Sequence, residues 1–259
     1  MAPSTTSRRR PTKASSSLPE LSVVVPVLNE AGNIKPLVNG IITAFTGRNI
    51  EIIYVDDGST DSTLAELREL QADLPMLRVM VHSHRSGQSA GLRTGILAAR
   101  AELIATLDGD GQNLPEDLVR LEKEVHAHRP GLVMAAGVRI NRQDSLAKRY
   151  ASLFARRIRR VMLKDDHPDT GCATKVFDRE LFLRLPYFDH LHRFMPPLAR
   201  REGATVLAVP VGHAARVQGK SKYHTLDRLL VGISDIFGVM WLIRRSPKNL
   251  NVKEQIPHG

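Results

Sequence analysis

Four short runs, mostly apolar and each closing on a polar or glycine-rich segment, restrict this chain to a narrow set of folds. They are Leu21–Leu28, Ile50–Val55, Leu77–Val81 and Glu102–Leu107. Apolar residues at helical spacing fill the intervals, over Ile34–Phe45, Thr60–Leu70 and Ser89–Ala101. Strands that are apolar on both faces need cover on both faces, and strands separated by helices wind as βαβ units into a parallel sheet. The expected class is therefore α/β. In such sheets ligands gather beyond the carboxyl ends of the strands. Here the runs end on Asn29-Glu30, on Asp56-Asp57-Gly58-Ser59, on Arg85-Ser86-Gly87 and on Asp108-Gly109-Asp110-Gly111-Gln112.

The last of these carries the most chemistry. Two carboxylates at i and i+2, with glycines that remove blocking Cβ atoms, suit a hard cation such as Mg²⁺ or Mn²⁺. In shallow sites Mg²⁺ bridges protein carboxylates to substrate phosphates, which points to an enzyme that handles a diphosphate. An isolated Asp-Gly-Asp is more often a surface turn, and what raises this one above that reading is the company of three other polar strand ends. The oxygen spacing and closing Glu of an EF-hand are missing. So is a Gly-x-Gly-x-x-Gly at the first helix, which argues against a dinucleotide oxidoreductase. Gly219-Lys220-Ser221 imitates the end of a P-loop, but Ala214 stands where that motif needs glycine. The histidine pairs 82/84, 126/128 and 190/192 lack a further ligand pattern and are expected at the surface rather than on zinc.

At 259 residues, with 42% hydrophobic and 25% charged residues, the chain suits one large globular domain. The single Cys172 excludes a disulfide framework and suits a reducing compartment. No apolar stretch reads as a signal peptide or reaches the ~20 residues of a membrane span. Lys and Arg outnumber Asp and Glu by 37 to 27, a net charge of +10 that calls for an anionic partner. Between Arg139 and Lys164 nine basic residues face one acidic residue, Asp144.

Val25-Pro26-Val-Leu-Asn29-Glu30, Val55-Asp56-Asp57-Gly-Ser-Thr-Asp61, Gly87–Gly95 and Leu107–Gln112 occur in an order that resembles family 2 glycosyltransferases of the GT-A fold. The second half narrows the likeness. Gly137-Val-Arg139, Arg149-x-x-Ser152, Asp169-Thr-Gly-Cys172, His192-Arg-Phe194 and Arg216-x-x-Gly-x-Ser-Lys222-Tyr are similar to dolichol-phosphate mannose synthase and its bacterial polyprenyl-phosphate relatives. The resemblance implies a Rossmann-like, mixed but mostly parallel sheet flanked by helices, with C-terminal amphipathic helices. It also implies inverting transfer of a sugar from a GDP- or UDP-sugar to a polyprenyl phosphate. Pro26, Asn29, Glu30, Asp57, Arg85 and Gly87 would then line the nucleotide pocket. Asp108, Asp110 and Gln112 would hold one divalent cation, with Asp108 also facing the donor. Arg139, Arg149, Ser152, Arg216 and Lys222 would grip the acceptor phosphate, since Arg suits bidentate phosphate recognition. Asp169 is expected to be structural or to contact the sugar.

Residues 1–18 read as a disordered basic tail, 19–224 as the catalytic domain, 225–245 as an amphipathic helix and 246–259 as a flexible tail. Residues 149–164 alternate apolar positions with Arg156, Arg157, Arg159 and Arg160, the composition of a helix lying on anionic headgroups. The helix over 225–245 is expected either at that interface or packed on protein, with Phe237 and Trp241 on its apolar stripe and Asp235 opposite. Peripheral attachment to the cytoplasmic face of a membrane follows, with a membrane-protein partner or a second copy as possible help and no nucleic acid as partner. A polysaccharide acceptor is the alternative, though only 5% of residues are aromatic to form sugar platforms. A non-enzymatic basic membrane-binding module is the lesser alternative.

Overall fold

The computed structural model describes residues 18–140, 157, 159–214 and 225–245. Within them lie seven strands: β1 (Leu21–Val27), β2 (Ile50–Asp56), β3 (Leu77–Val81), β4 (Leu103–Thr106), β5 (Val133–Arg139), β6 (Lys175–Asp178) and β7 (Thr205–Val211). The helices are α1 (Ile34–Ala44), α2 (Thr63–Asp73), α3 (Gln88–Ala98), α4 (Pro115–Ala127), α5 (Arg179–Arg184), α6 (Met195–Arg201) and α7 (Thr225–Arg244), with a 3₁₀ turn at Leu191–Arg193. One sheet runs in the order β3-β2-β1-β4-β6-β5-β7. The pairings β1/β2, β2/β3, β1/β4 and β5/β7 are parallel, and β6 is antiparallel to both its neighbours.

The continuous apolar runs have a simple cause. Leu21, Val23, Val25 and Val27 of β1 enter a core beneath α1, α2 and α4, while Val24 enters a second core beneath α3, α5, α6 and α7. Strand β2 divides likewise, with Ile50, Ile52 and Tyr54 on one face and Ile53 and Val55 on the other. A Cβ on Gly95 of α3 would lie 2.4 Å from Val24 Cγ1, so a side chain there would hold the helix off the sheet. The buried Glu51 accepts bonds from Ser22, Arg78 and the Arg100 amide, at the end of the sheet away from the polar loops.

Strand and helix limits follow the expected pattern with two shifts. Helix α2 begins at Thr63 rather than Thr60, because the Thr60 amide is bonded to Asn29 Oδ1 and Asp61 receives the Thr63 amide. Helix α3 ends at Ala98, and Arg100 is drawn back to Glu51. Arg149 to Arg156 lies outside the described residues; the later part of that segment, 159–163, is helical. There Val161 is exposed and Leu163 is buried.

Helix α7 lies on the second core. Val239 is buried and Ile236, Met240 and Ile243 pack beside it. Its phase differs from the expected stripe. Phe237 and Trp241 face outward, 55% and 57% exposed, and Asp235 turns inward to bond His190 Nδ1 at 3.0 Å. A helix apolar nearly all round leaves its phase to be set by such a polar contact. Among the described residues no helix is long and apolar enough to cross a membrane.

Candidate functional site

Chain winding reverses at β1: α1 and α2 lead outward to β2 and β3 on one side, and α3 crosses to β4 on the other. The loops after β1, β2, β3 and β4 therefore open into one crevice, the place where α/β sheets bind ligands. The expected donor residues meet there. The Asn29 amide donates to Ser59 Oγ at 2.9 Å, and Asn29 Oδ1 accepts the Thr60 amide at 2.7 Å. The Glu30 amide donates to Thr63 Oγ1, and its carboxylate receives Asn33 Nδ2 at 3.0 Å. Pro26, next to last in β1, packs on Gly91 of α3, where an added Cβ would lie 2.9 Å from Pro26 Cβ.

Asp57 spends its buried carboxylate on the loop after β3. Oδ1 accepts the Ser86 amide and His82 Nδ1, and Oδ2 accepts the Gly87 amide, all at 2.7–2.8 Å. His82 Nε2 meets Thr94 Oγ1 at 2.9 Å. The ring thus bridges the Asp57 carboxylate and the Thr94 hydroxyl, so His82 is a half-buried clamp rather than a surface histidine. Gly87, at φ +94°, takes the left-handed backbone that starts α3. Arg85 stands exposed on this loop. Asp56, buried beside Asp57, keeps Oδ2 without a hydrogen-bond partner among the described residues.

Beyond β4, Gly109 packs on Val27, whose Cγ1 would be 2.3 Å from an added Cβ, and this contact presses the Asp108–Asp110 loop onto the end of β1. Gln88, the first residue of α3, donates Nε2 to Asp108 Oδ1 at 2.7 Å. The buried Asn113 receives the Asp108 amide at 3.0 Å, and Asp110 Oδ1 receives the Gln112 amide at 3.1 Å. Burial and the neighbouring Asp110 push the Asp108 carboxyl up to about 6, against the pull of Lys175, Arg139 and Gln88. A divalent cation would relieve that carboxylate repulsion, so the donor set of Asp108, Asp110 and Gln112 fits one. Among the described residues no three His, Cys, Asp or Glu side chains form a metal cage. The remaining ligands would have to come from substrate or water.

The acceptor candidates divide. Arg139, at the end of β5, is fixed on Asp169 by Nε–Oδ2 and Nη2–Oδ1 bonds of 2.7 and 2.8 Å, and this pairing raises its pKa. Asp169 is positioned in turn by His167, whose Nδ1 accepts the Asp169 amide at 3.2 Å while Nε2 reaches the Ala136 carbonyl. Burial lowers the His167 pKa, in keeping with that neutral tautomer. Arg149, Ser152, Arg216 and Lys222 lie outside the described residues.

Where their last segment begins is fixed. Gly212 donates its amide to Asp117 Oδ2 at 2.7 Å. The Ala214 amide donates to the Gln112 carbonyl at 2.9 Å, and Gln112 Nε2 returns to the Ala214 carbonyl at 3.4 Å. The chain that goes on to Arg216 and Lys222 thus leaves from the Asp108–Gln112 loop itself. Gln88 and Asn113 carry no sequence signal that singled them out as site residues, and His82 was expected only at the surface. For Lys175 the signal was there: a lone cation beside Val176 and Phe177 in a strand-like run.

Solved structures share this architecture. Glucosyl-3-phosphoglycerate synthase from Mycobacterium tuberculosis, with Mg²⁺ and UDP, superposes with a TM-score of 0.64 over 89% of this chain and 81% of its own, at 19% identity. A mannosyltransferase from Pyrobaculum calidifontis, with GDP-Man and Mn²⁺, gives 0.63 over 92% and 70%, at 20% identity. The fold is that of the GT-A glycosyltransferases. Residues 22–185 match the model of the family described as glycosyl transferase family 2, and the chain belongs to that family.

Among its relatives, dodecaprenyl-phosphate galacturonate synthase of Rhizobium johnstonii is 34% identical over 87% of this chain and 68% of its own length. Undecaprenyl-phosphate 4-deoxy-4-formamido-L-arabinose transferase of Aeromonas hydrophila is 32% identical over 78% and 62%. The chain spans about two thirds of the length of these curated relatives.

Proposed function

We propose that this chain transfers a sugar from a GDP- or UDP-linked donor to the phosphate of a polyprenyl lipid, as a peripheral protein on the cytoplasmic face of a membrane. The observation that carries this is the latch between Gln112 and Ala214. It roots the segment of Arg216 and Lys222 on the loop of Asp108 and Asp110. A phosphate gripped by Arg216 and Lys222 beside a diphosphate held at that loop is the arrangement this latch supports. The relatives support a lipid acceptor, since their names differ in the sugar but share a polyprenyl phosphate.

On the donor side, Pro26, Asn29 and Glu30 offer the end of β1, and Asp57 shapes the loop that presents Arg85 and Gly87. Asp108, Asp110 and Gln112 would hold a divalent cation, Mg²⁺ or Mn²⁺, which as a Lewis acid neutralises the departing diphosphate. On the acceptor side, Asp169 takes the Nε and Nη2 edge of Arg139 and sets its Nη1 edge for a phosphate, together with Arg149, Ser152, Arg216 and Lys222. A phosphate oxygen bonds to the anomeric carbon as that carbon's bond to the diphosphate oxygen breaks, and the electron pair leaves with the nucleoside diphosphate. In-line attack inverts the centre. A phosphate monoester, with a second pKa near ~6, is already anionic at neutral pH and needs no general base. The commitment of Asp169 to Arg139 agrees with that.

The test is transfer from labelled GDP- and UDP-sugars to a short polyprenyl phosphate with Mg²⁺, Mn²⁺ or EDTA. The expected result is metal-dependent label in the organic phase with inverted configuration, reduced at least ~100-fold by Asp110→Ala. Donor hydrolysis without lipid product would move the acceptor to another class, such as a polysaccharide. Full activity of Asp110→Ala would remove the metal site from the scheme.

A further inference from the structure

Lys175 is a buried charge that neither half of this scheme uses. It opens β6, is 3% exposed, and donates Nζ to the Cys172 carbonyl. Its direction follows from strand register. Ile104 of β4 faces Phe177 of β6, and both enter the core beneath α3. Thr106 and Lys175, paired two positions further along, project to the same side. So does Asp108 another two residues on, where Gln88 of α3 meets it. On the other flank Lys175 pairs with Ala136 of β5, again on the α3 side. The ammonium is within electrostatic reach of Asp108, Asp169, Arg139 and Cys172, and burial lowers its pKa against the pull of the carboxylates.

Asp108 and Asp169 thus lie within electrostatic reach of two cations, Lys175 and Arg139, and Asp110 acts on Asp108 from its other side. Lys175 has its own hydrogen-bond acceptor and is sealed from solvent, so it cannot move aside when a metal arrives. A bare dication would meet two carboxylates with the Lys175 ammonium behind them. A metal already bound to a diphosphate carries no net positive charge, and the same field does not oppose it.

We propose that Lys175 is a positioning residue that makes the Asp108–Asp110 pair select the metal–diphosphate complex over the free cation, so that metal and nucleotide enter together. The proposal rests on these carboxylates being the metal site of the donor pocket. It requires only that Lys175 keep its charge, which the Cys172 carbonyl and the two neighbouring carboxylates favour.

The experiment is Mn²⁺ uptake by the full chain, read from the loss of the free-ion electron paramagnetic resonance signal, with and without UDP or GDP, counted beyond the loss that the nucleotide alone causes in a protein-free control. No turnover is involved. Lys175→Gln keeps an N–H donor for the Cys172 carbonyl and removes the charge; Lys175→Arg keeps the charge. Wild type is expected to bind Mn²⁺ at least ~10-fold more tightly with a nucleoside diphosphate than without. Lys175→Gln is expected to bind nucleotide-free Mn²⁺ roughly 10-fold more tightly than wild type, from a charge–dication repulsion damped by solvent, and to lose most of the nucleotide's enhancement. Lys175→Arg should behave as wild type.

Equal or weaker uptake of free Mn²⁺ by a folded Lys175→Gln would overturn the proposal. Should that variant not fold, wild type binding Mn²⁺ equally well with and without nucleotide would overturn it too. A nucleotide-dependent uptake that survives Asp110→Asn would instead bring down the underlying donor-site reading, and this proposal with it.

Discussion

Asp108 carries the site's pH dependence. Its carboxyl is pushed up to about 6 by burial and by Asp110, whereas an unfolded chain releases that proton near ~3.9. Between these values the native state binds more protons than the unfolded one, so this group's contribution to stability falls as pH rises from about 4 to about 6. Thermal unfolding in EDTA across that range should show the slope, and Asp108→Asn should flatten it. The same proton competes with a metal. Mn²⁺ affinity should therefore be level above pH 7 and drop about tenfold per unit below pH 6. The pair itself was legible in the sequence because two carboxylates flanked by glycine after a strand have few other uses. The partners that tune it were not. Gln88 reaches Asp108 across 20 positions and Lys175 across many more, and no local pattern encodes such contacts.

At the scale of elements, β1, β2 and β4 could be read because they are buried on both faces and so are mostly apolar, whereas β3, partly exposed at the sheet edge and interrupted by Arg78, was legible from its length and its place between two helices. The short β6 begins with Lys175 and ends with Asp178, and the middle of β5 is the small-residue run Ala135, Ala136 and Gly137; neither resembles β1 or β2. Helix α7 was legible as a helix but not in phase, since the inward side is set by the His190–Asp235 contact and by the packing of Ile236, Val239, Met240 and Ile243. The seating of α3 supplies a sharper test. Gly95→Ala gains about 1 kcal/mol of helix propensity. It also places a Cβ 2.4 Å from Val24 Cγ1 and 3.2 Å from Val55 Cγ2, both on buried branched side chains. Overpacking of that kind costs about 1–3 kcal/mol and should win. Denaturant unfolding should give a net loss of stability, and a net gain would mean that α3 can slide on the sheet.

For the molecule as a whole, net charge and the outward face of α7 point the same way. Phe237 and Trp241 stand exposed one helical turn apart, Arg245 lies over the Trp241 ring, and Asp235 is turned inward. A chain of net charge +10 that presents aromatics beside arginines suits an anionic bilayer surface. Co-sedimentation with phosphatidylserine vesicles should fall roughly 10-fold or more in a Phe237→Ser, Trp241→Ser variant, and wild-type binding should weaken as salt is raised. Unfolding stability should change by less than about 0.5 kcal/mol, because neither side chain is in the core. Unaltered vesicle binding would move the contact to another surface.

Because β6 runs antiparallel between β4 and β5, the outer edge of β4 stays open until Lys175–Asp178 have left the ribosome. The first four strands can pair among themselves well before that, and they then display a row of unsatisfied amides and carbonyls to every other nascent chain. A fragment cut after α4 keeps that edge for good and should aggregate, whereas one carried past Asp178 closes it. The strand that brings the buried lysine to the site is also the one that closes this edge of the newborn chain, before β7 covers β5.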